Sequence, residues 1–300
     1  MRQFRRVRFL MMIRMGCRSL FAGLFLSVFA GSVARTQPVL LQINPRVGDT
    51  LTVRMNQRVE ITGTPTGCPS GDAAPRRNAK INPESRICAQ PTRRMTTMME
   101  VFSRAIVHKT GKEGAMVTTI TDSIRTSVSN GAGKNAAPAR VKGTNEEIDM
   151  RVAKDGGAEV VDEDASDELR AVFGQMPAVL SRKAVSPGDT WKRQMRIPLA
   201  GEAGATGLVS ATFQLDSLGH NGDVAYISMH GNLSHDHMDG SVSELTGWLS
   251  GTMQLDRRLA WITDTHATID ATSTVPSSSG GAPMVVHTRV TQQLKASRTQ

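Results

Sequence analysis

The chain has 300 residues, with 36 lysines and arginines against 27 acidic residues and a sequence isoelectric point near 10. Six of the arginines and none of the acids lie in residues 1–34, so the remainder carries a net charge of only +3 and contains seven aromatic residues. This composition does not favour nucleic-acid binding, which needs a cationic surface and aromatic side chains that stack on bases.

The first 34 residues have the pattern of a secretory signal peptide. Arginines come first, an apolar run follows at residues 20–30, and the small residues Ser32 and Ala34 precede a plausible cleavage point. The apolar run is shorter than the ~20 residues needed to span a bilayer. We therefore expect export, to the periplasm or beyond the cell, of a single β-rich domain comprising residues 35–300. No transmembrane segment is expected after processing.

Two cysteines, Cys68 and Cys88, remain after cleavage. In an oxidising compartment they predict one disulfide, although two independent thiols would fit the same spacing. The surrounding segment, residues 63–94, is rich in proline and arginine and predicts a basic loop. Such a loop is a candidate contact for an anionic surface in the cell envelope, and a solvated loop without a partner is the alternative.

Alternation of apolar residues predicts strands in the first half of the chain. Leu51, Val53 and Met55 alternate, and residues 95–107 and 116–128 predict a long hairpin around a glycine-containing turn. Within the second of these strands, Met116, Thr118, Ile120 and Ile124 are expected on one face. Asp155-Gly156 between two further short runs predicts a second hairpin.

One short helix is predicted in the middle of the chain, over residues 166–176. Leu169, Val172, Phe173 and Met176 have the spacing of one helix face, and Pro177 ends the pattern. About ten residues form a marginal helix alone, so we expect it to pack on a sheet.

Strand patterns resume after this helix, at residues 209–215, 225–229, 247–255, 259–271 and 284–294. The predicted fold is therefore mainly β, with long antiparallel hairpins in a curved open or half-closed barrel. The apolar face of such a sheet suits a groove for an apolar ligand.

A short motif occurs twice in the sequence, once in each half of the chain. Val47-Gly48-Asp49-Thr50-Leu51 matches Pro187-Gly188-Asp189-Thr190-Trp191, and each copy opens a predicted strand. Two similar halves, 40–162 and 184–296, joined by the helix at 166–176, are one interpretation. Coincidence is the other, since Gly-Asp-Thr is common in turns.

The segment Ala184-Val-Ser-Pro-Gly-Asp-Thr-Trp191 resembles a recurrent signature in a family of secreted bacterial β-rich proteins of unknown function. The resemblance implies a leader, long hairpins, a short central helix and an envelope location. It implies no catalytic residues.

The histidine-rich run at residues 230–240 is the one candidate metal site. His235, His237 and Asp239 fall on one side of an extended segment and could bind zinc with an open position for water. The spacing is similar to the His-x-His-x-Asp-His run of metallo-β-lactamase-type hydrolases, but Gly240 occupies the place of the last histidine. A polar hairpin loop explains the same residues.

The sequence therefore favours a non-enzymatic, exported envelope protein that uses no cofactor and binds an apolar or polymeric ligand or a partner protein. A zinc-dependent hydrolase centred on His235, His237 and Asp239 is the alternative hypothesis.

Overall fold

The structure, a computed structural model, describes residues 37–66, 93–130, 134–135, 139–142, 147–162, 177–198, 206–235, 245–275 and 283–299. The predicted signal peptide 1–34, the predicted helix 166–176 and both Cys68 and Cys88 lie outside these residues.

Thirteen strands in the described residues form one antiparallel sheet. They are β1 (Thr50–Pro65), β2 (Arg93–Thr110), β3 (Ala115–Asn130), β4 (Lys134–Asn135), β5 (Ala139–Lys142), β6 (Glu147–Val152), β7 (Ala158–Val160), β8 (Thr190–Pro198), β9 (Thr206–Gly219), β10 (Val224–His235), β11 (Leu245–Asp256), β12 (Trp261–Val275) and β13 (Met284–Arg298). A 3-10 turn at His220–Gly222 is the one helical element among the described residues.

The order across the sheet is β7-β6-β3-β2-β1-β13-β12-β11-β10-β9-β8, and β4 and β5 pair with the last part of β3. The sheet is not closed, because β7 and β8 are edges. The prediction of a mainly β, curved and open fold is confirmed. The hairpin turns predicted at 111–114 and 155–156 are also present.

The two edges of this sheet nevertheless meet at one end, here called the turn end because the tight hairpin turns lie there. Ten strand spacings of ~4.8 Å would separate the edges by about 48 Å in a flat sheet. Yet Arg193 Nη2 of β8 lies 3.8 Å from Asp155 Oδ2 in the β6–β7 turn. The sheet therefore curls until its edges come together at the turn end.

Residue Val179 connects the same two edges through its backbone. Its N–H donates to the Asp155 carbonyl (2.9 Å), and its own carbonyl accepts from Trp191 Nε1 (2.8 Å). The neighbouring Leu180 carbonyl accepts from the Arg193 guanidinium. We call these contacts the seam.

Two segments that precede strands, 37–49 and 177–189, fill the turn end. They bridge each other through Val39 and Val185, whose amides and carbonyls exchange hydrogen bonds of 2.8 and 2.9 Å. Leu41, Ile43 and Leu180 insert from these segments into a core with buried strand residues such as Phe213. The core is thus densest at the turn end and extends from there along β8 to β11.

The repeated Gly-Asp-Thr turns have the same backbone geometry. Gly48 and Gly188 have φ of +86° and +93°, a region in which side chains other than glycine are strained. In each turn the aspartate Oδ2 accepts from a backbone N–H three residues earlier, at 3.0 Å for Asp49 and 2.7 Å for Asp189. The interpretation of the chain as two duplicated halves stays a prediction.

A β-bulge changes one predicted face. Between the pairs Phe102–Ser123 and Ser103–Thr121 the register shifts by one residue, so Ile120 and Ile124 lie on opposite faces of β3. The expectation that Met116, Thr118, Ile120 and Ile124 share a face is therefore wrong, because strict alternation fails at the extra residue.

Glycines allow close strand contact on the core-bearing face of β10 and β11. A methyl group at Gly247 would lie 2.3 Å from the Asp270 carbonyl oxygen, and one at Gly251 would lie 2.2 Å from the His266 carbonyl oxygen. Their cross-strand partners, Ala271 and Ala267, are also small. Glycines of this kind mark the tight bends of curved sheets.

We predict that Gly247→Ala lowers the free energy of unfolding by about 1–3 kcal/mol, because the added methyl forces the β11 and β12 backbones apart. Gly111→Ala is the matched control, since a methyl there meets no atom within 4 Å. Chemical denaturation measures both variants. Equal stability of the two would contradict the close approach of these strands.

For the seam, we predict that Arg193→Ala lowers the free energy of unfolding by about 1–3 kcal/mol, because it removes a donor from a carbonyl and a cation from Asp155. Arg182 contacts the same carboxylate at 2.9 Å but its side chain is 77% exposed, against 20% for Arg193. Arg182→Ala should therefore cost less than about 1 kcal/mol. A reversed order in denaturation midpoints would refute the seam.

Candidate functional site

The face of the sheet that bears the core, here called the apolar face, continues beyond the filled turn end. Directly paired strand residues share a face, so the registers assign the members of this face unambiguously. Over β3, β2, β1 and β13 most of its side chains are apolar yet not fully buried, and the polar side chains of Gln57, Thr97, Thr126, Thr288 and Gln292 lie among them. The apolar ones are Met55, Val59, Ile61, Met95, Met99, Val101, Ile124, Val128, Met284, Val286, Val290 and Leu294. We call this set the open patch.

Exposure rises toward the far end, the end of the sheet opposite the turns. Met95 and Met284 are 40% and 37% exposed, Val128 is 36% exposed, and Val275 of β12, which pairs with Met284, is 40% exposed. On β8 to β11, by contrast, the same face is buried along most of its length, as at Val209, Leu233 and Leu249. The uncovered apolar surface therefore lies on one side of the curved sheet.

Two glutamines lie within the open patch. Gln57 of β1 pairs directly with Gln292 of β13. The next pair on this face toward the far end, Val59–Val290, is apolar. Gln292 Nε2 donates to Met55 Sδ at 3.1 Å, a weak acceptor. The Gln57 amide has no hydrogen-bond partner among the described residues. Sequence reasoning missed this pair, although a polar residue in the alternation Met55-x-Gln57-x-Val59 was the available signal.

Charge is nearly absent from the apolar face. Among strand side chains that the structure describes, the charged groups on this face are Arg193, which is engaged in the seam with Asp155 and the Leu180 carbonyl, and Arg298 at the turn end, which pairs with Asp49. The open patch thus combines apolar side chains with uncharged hydrogen-bonding groups.

The opposite face, here called the outer face, is polar. Arg54 and Arg125 flank the Phe102 ring at 5.2 and 5.7 Å and pair with Glu100 at 2.5 and 3.4 Å. A groove of about 450 Å³ beside them includes Arg58, whose charge is matched by Glu60. These ion pairs are on the surface and contribute little to stability, and their charged groups keep this face hydrated.

One carboxylate of the outer face is buried. Asp270 accepts from His287 Nε2 at 2.7 Å and from Arg289 Nε at 2.9 Å. Burial raises the pKa of the Asp270 carboxyl, but the hydrogen bonds from Arg289 and His287 outweigh it and hold that pKa below its usual value. The cluster joins β12 to β13 directly behind the open patch.

The predicted metal site is only partly within the described residues. His235 is the last residue of β10, whereas His237 and Asp239 lie outside the described residues, so the structure does not test their arrangement. In the part of the chain that is described, no three His, Cys, Asp or Glu side chains form a cluster that could hold a metal ion. Zinc binding stays a prediction.

The other sequence-based sites also fall mainly outside the described residues. Of the basic loop 63–94, only its two ends, 63–66 and 93–94, are described, so its proposed contact with an anionic surface stays a prediction. Across the described ranges, no helix has both the length and the apolar character required to cross a bilayer.

Comparison with known proteins gives remote structural likenesses. No family model matches the chain, and no curated protein matches it, so the resemblance to secreted β-rich proteins stays a prediction. A structure of lipovitellin that concerns its lipid–protein interactions covers 85% of this chain at 10% identity with a TM-score of 0.47. This chain spans about a quarter (26%) of the length of that protein.

An outer-membrane channel from Pseudomonas putida F1 covers 87% of this chain and is itself covered completely (100%), at 8% identity and a TM-score of 0.26. Identities this low with TM-scores below 0.5 do not establish a shared activity.

We predict that Asp270→Asn lowers the free energy of unfolding at pH 7 by about 1–3 kcal/mol, because it removes the charge that Arg289 and His287 contact. The folded-state pKa is lowered, so this stabilisation is present above the ordinary carboxyl pKa of ~3.9 and is lost as the pH falls through the folded value. Denaturation of both proteins at pH 7 and near pH 3 checks this. A stability difference that stays constant between these pH values would contradict it.

Proposed function

We propose that the protein is a non-enzymatic, exported protein of the cell envelope that binds an apolar, lipid-like ligand on the open patch. The observation that carries the proposal is the incompletely covered apolar surface of β1, β2, β3 and β13. Large exposed apolar patches on proteins mark binding sites for ligands, partners or membranes.

The apolar face is covered by other parts of the chain only at the turn end, and this uneven covering supports a ligand site. A sheet stabilises itself by burying its apolar face against another layer. Here the segments 37–49 and 177–189 supply that layer at the turn end. Beyond it, Met55, Val59 and Val290 remain only half-buried. A bound alkyl chain would complete their burial, at ~25 cal/mol for each Å² of apolar surface removed from water.

The methionines of the open patch favour a ligand of adaptable shape. Met55, Met95 and Met284 are unbranched and flexible, and such side chains repack around irregular apolar groups. The alternative occupants of the open patch are a polymeric ligand and a partner protein. Lipid extraction separates these possibilities, because only the lipid form predicts co-purifying small molecules.

The zinc-dependent hydrolase stays the alternative, because His237 and Asp239 lie outside the described residues, and it would need a zinc ion that the lipid-binding proposal does not. Zinc analysis of the purified protein, with His235→Ala as the comparison, remains the direct test of that alternative.

We predict that Val290→Glu weakens binding of a neutral apolar dye, Nile red, by at least about tenfold, because a carboxylate in the open patch must be desolvated when the dye binds. Thr291→Glu is the matched control, since the adjacent residue is exposed on the outer face, where its register partner is Arg58. Fluorescence titration measures both variants, with denaturation curves as the check on folding.

Organic extraction of the native protein from the exported fraction, followed by mass spectrometry, should yield lipid at near-stoichiometric amounts. Absence of both extracted lipid and saturable dye binding would overturn the proposed function.

A further inference from the structure

We infer that the open patch selects an uncharged lipid with a hydrogen-bonding group, such as an ester or alcohol, over a free fatty acid, and that Gln57 and Gln292 recognise that group. This inference rests on the proposed function and names the ligand class and the residues that determine it.

The first step is the placement of the two amides. Gln57 and Gln292 are directly paired across β1 and β13, so their Cβ atoms are ~4.5–5.5 Å apart on the same face. Apolar pairs border them along both strands, Val59–Val290 toward the far end and Met55–Leu294 toward the turn end. The two amides therefore form a polar step between apolar pairs, and the hydroxyl groups of Thr97 and Thr126 lie on the same face across β2 and β3.

The second step is their unused hydrogen-bonding capacity. Each glutamine amide offers two donors and one acceptor. Within the described part of the chain, Gln292 donates only to a thioether sulfur and Gln57 has no partner. Covering these amides with a purely apolar chain would leave them without water or a partner, which is unfavourable for binding. A ligand with a carbonyl or hydroxyl at this depth avoids that cost.

The third step is the absence of a free charge. A carboxylate buried on an apolar surface needs a cation nearby. The cations among the described strand side chains of this face are Arg193 and Arg298, whose charges are balanced by Asp155 in the seam and by Asp49 at the turn end. A fatty-acid carboxylate would therefore reach the two amides without a counter-ion, whereas an ester or alcohol needs none.

The chain provides a matched control for the test. Gln293 follows Gln292 but lies on the outer face, where its Nε2 and His266 Nε2 are 3.2 Å apart. Gln57→Leu and Gln292→Leu remove the proposed recognition, whereas Gln293→Leu makes the same chemical change on the opposite face. All three variants are compared at equal folded fraction, which denaturation curves establish.

The experiment is competition against Nile red with four ligands of equal chain length: methyl tetradecanoate, tetradecanol, tetradecane and, at pH 8, tetradecanoate. We expect the ester and the alcohol to displace the dye at concentrations about tenfold lower than the alkane or the carboxylate, as one retained hydrogen bond predicts. Gln57→Leu and Gln292→Leu should remove the preference for the ester over the alkane, and Gln293→Leu should retain it. Gln57→Lys should move the preference toward tetradecanoate.

The outcomes separate the two proposals. Dye binding with equal displacement by all four ligands, or an ester preference that survives both glutamine substitutions, would overturn this inference and leave the proposed function standing. Failure of the native protein to bind dye or any of the four ligands would overturn both.

Discussion

The contact between the two sheet edges at the turn end determines how the sheet curls and which side chains it encloses. Without the seam, an eleven-strand path would be an open, twisted sheet whose apolar face has nothing to pack against. Val179 and Arg193 bring β8 against the β6–β7 turn, and the curled face then encloses Leu41, Ile43 and Leu180. The seam joins hydrogen bonds to the carbonyls of Asp155, Val179 and Leu180 with an ion pair between Arg193 and Asp155, whose side chains are largely buried.

Closure at one end explains the uncovered surface at the other. The segments 37–49 and 177–189 fill only the volume next to the turns, and the curved strands continue well beyond them. The glycines of β10 and β11 permit close strand approach on one side of the sheet, where the apolar face is buried. On β1, β2, β3 and β13 the same face keeps larger residues that remain half-exposed. Asymmetric filling therefore generates the candidate site.

Polar groups have different roles on the two faces. On the outer face, arginines pair with Glu60, Glu100 and Asp270, which offsets their charges while they remain hydrated. On the apolar face, two neutral amides interrupt the aliphatic surface without any such partner. An amide in that position reduces the stability gained from burial. A ligand that forms a hydrogen bond with this amide would be favoured over one that cannot, so the amide would then determine specificity.

Much of the local structure could be predicted from the sequence, because it depends on residue alternation and turn chemistry. Leu51-x-Val53-x-Met55 identified a strand with one apolar face, and Asp155-Gly156 identified a hairpin. Which apolar residues are covered could not be predicted in this way, because it depends on contacts between distant segments. The bulge beside Ser103 reversed the face of Ile124, and the contact of Arg193 with Asp155 links residues that no local pattern relates. The pairing of Gln57 with Gln292 likewise depends on β1 meeting β13, strands from opposite ends of the domain, since pairing between distant segments is fixed by burial of the whole face.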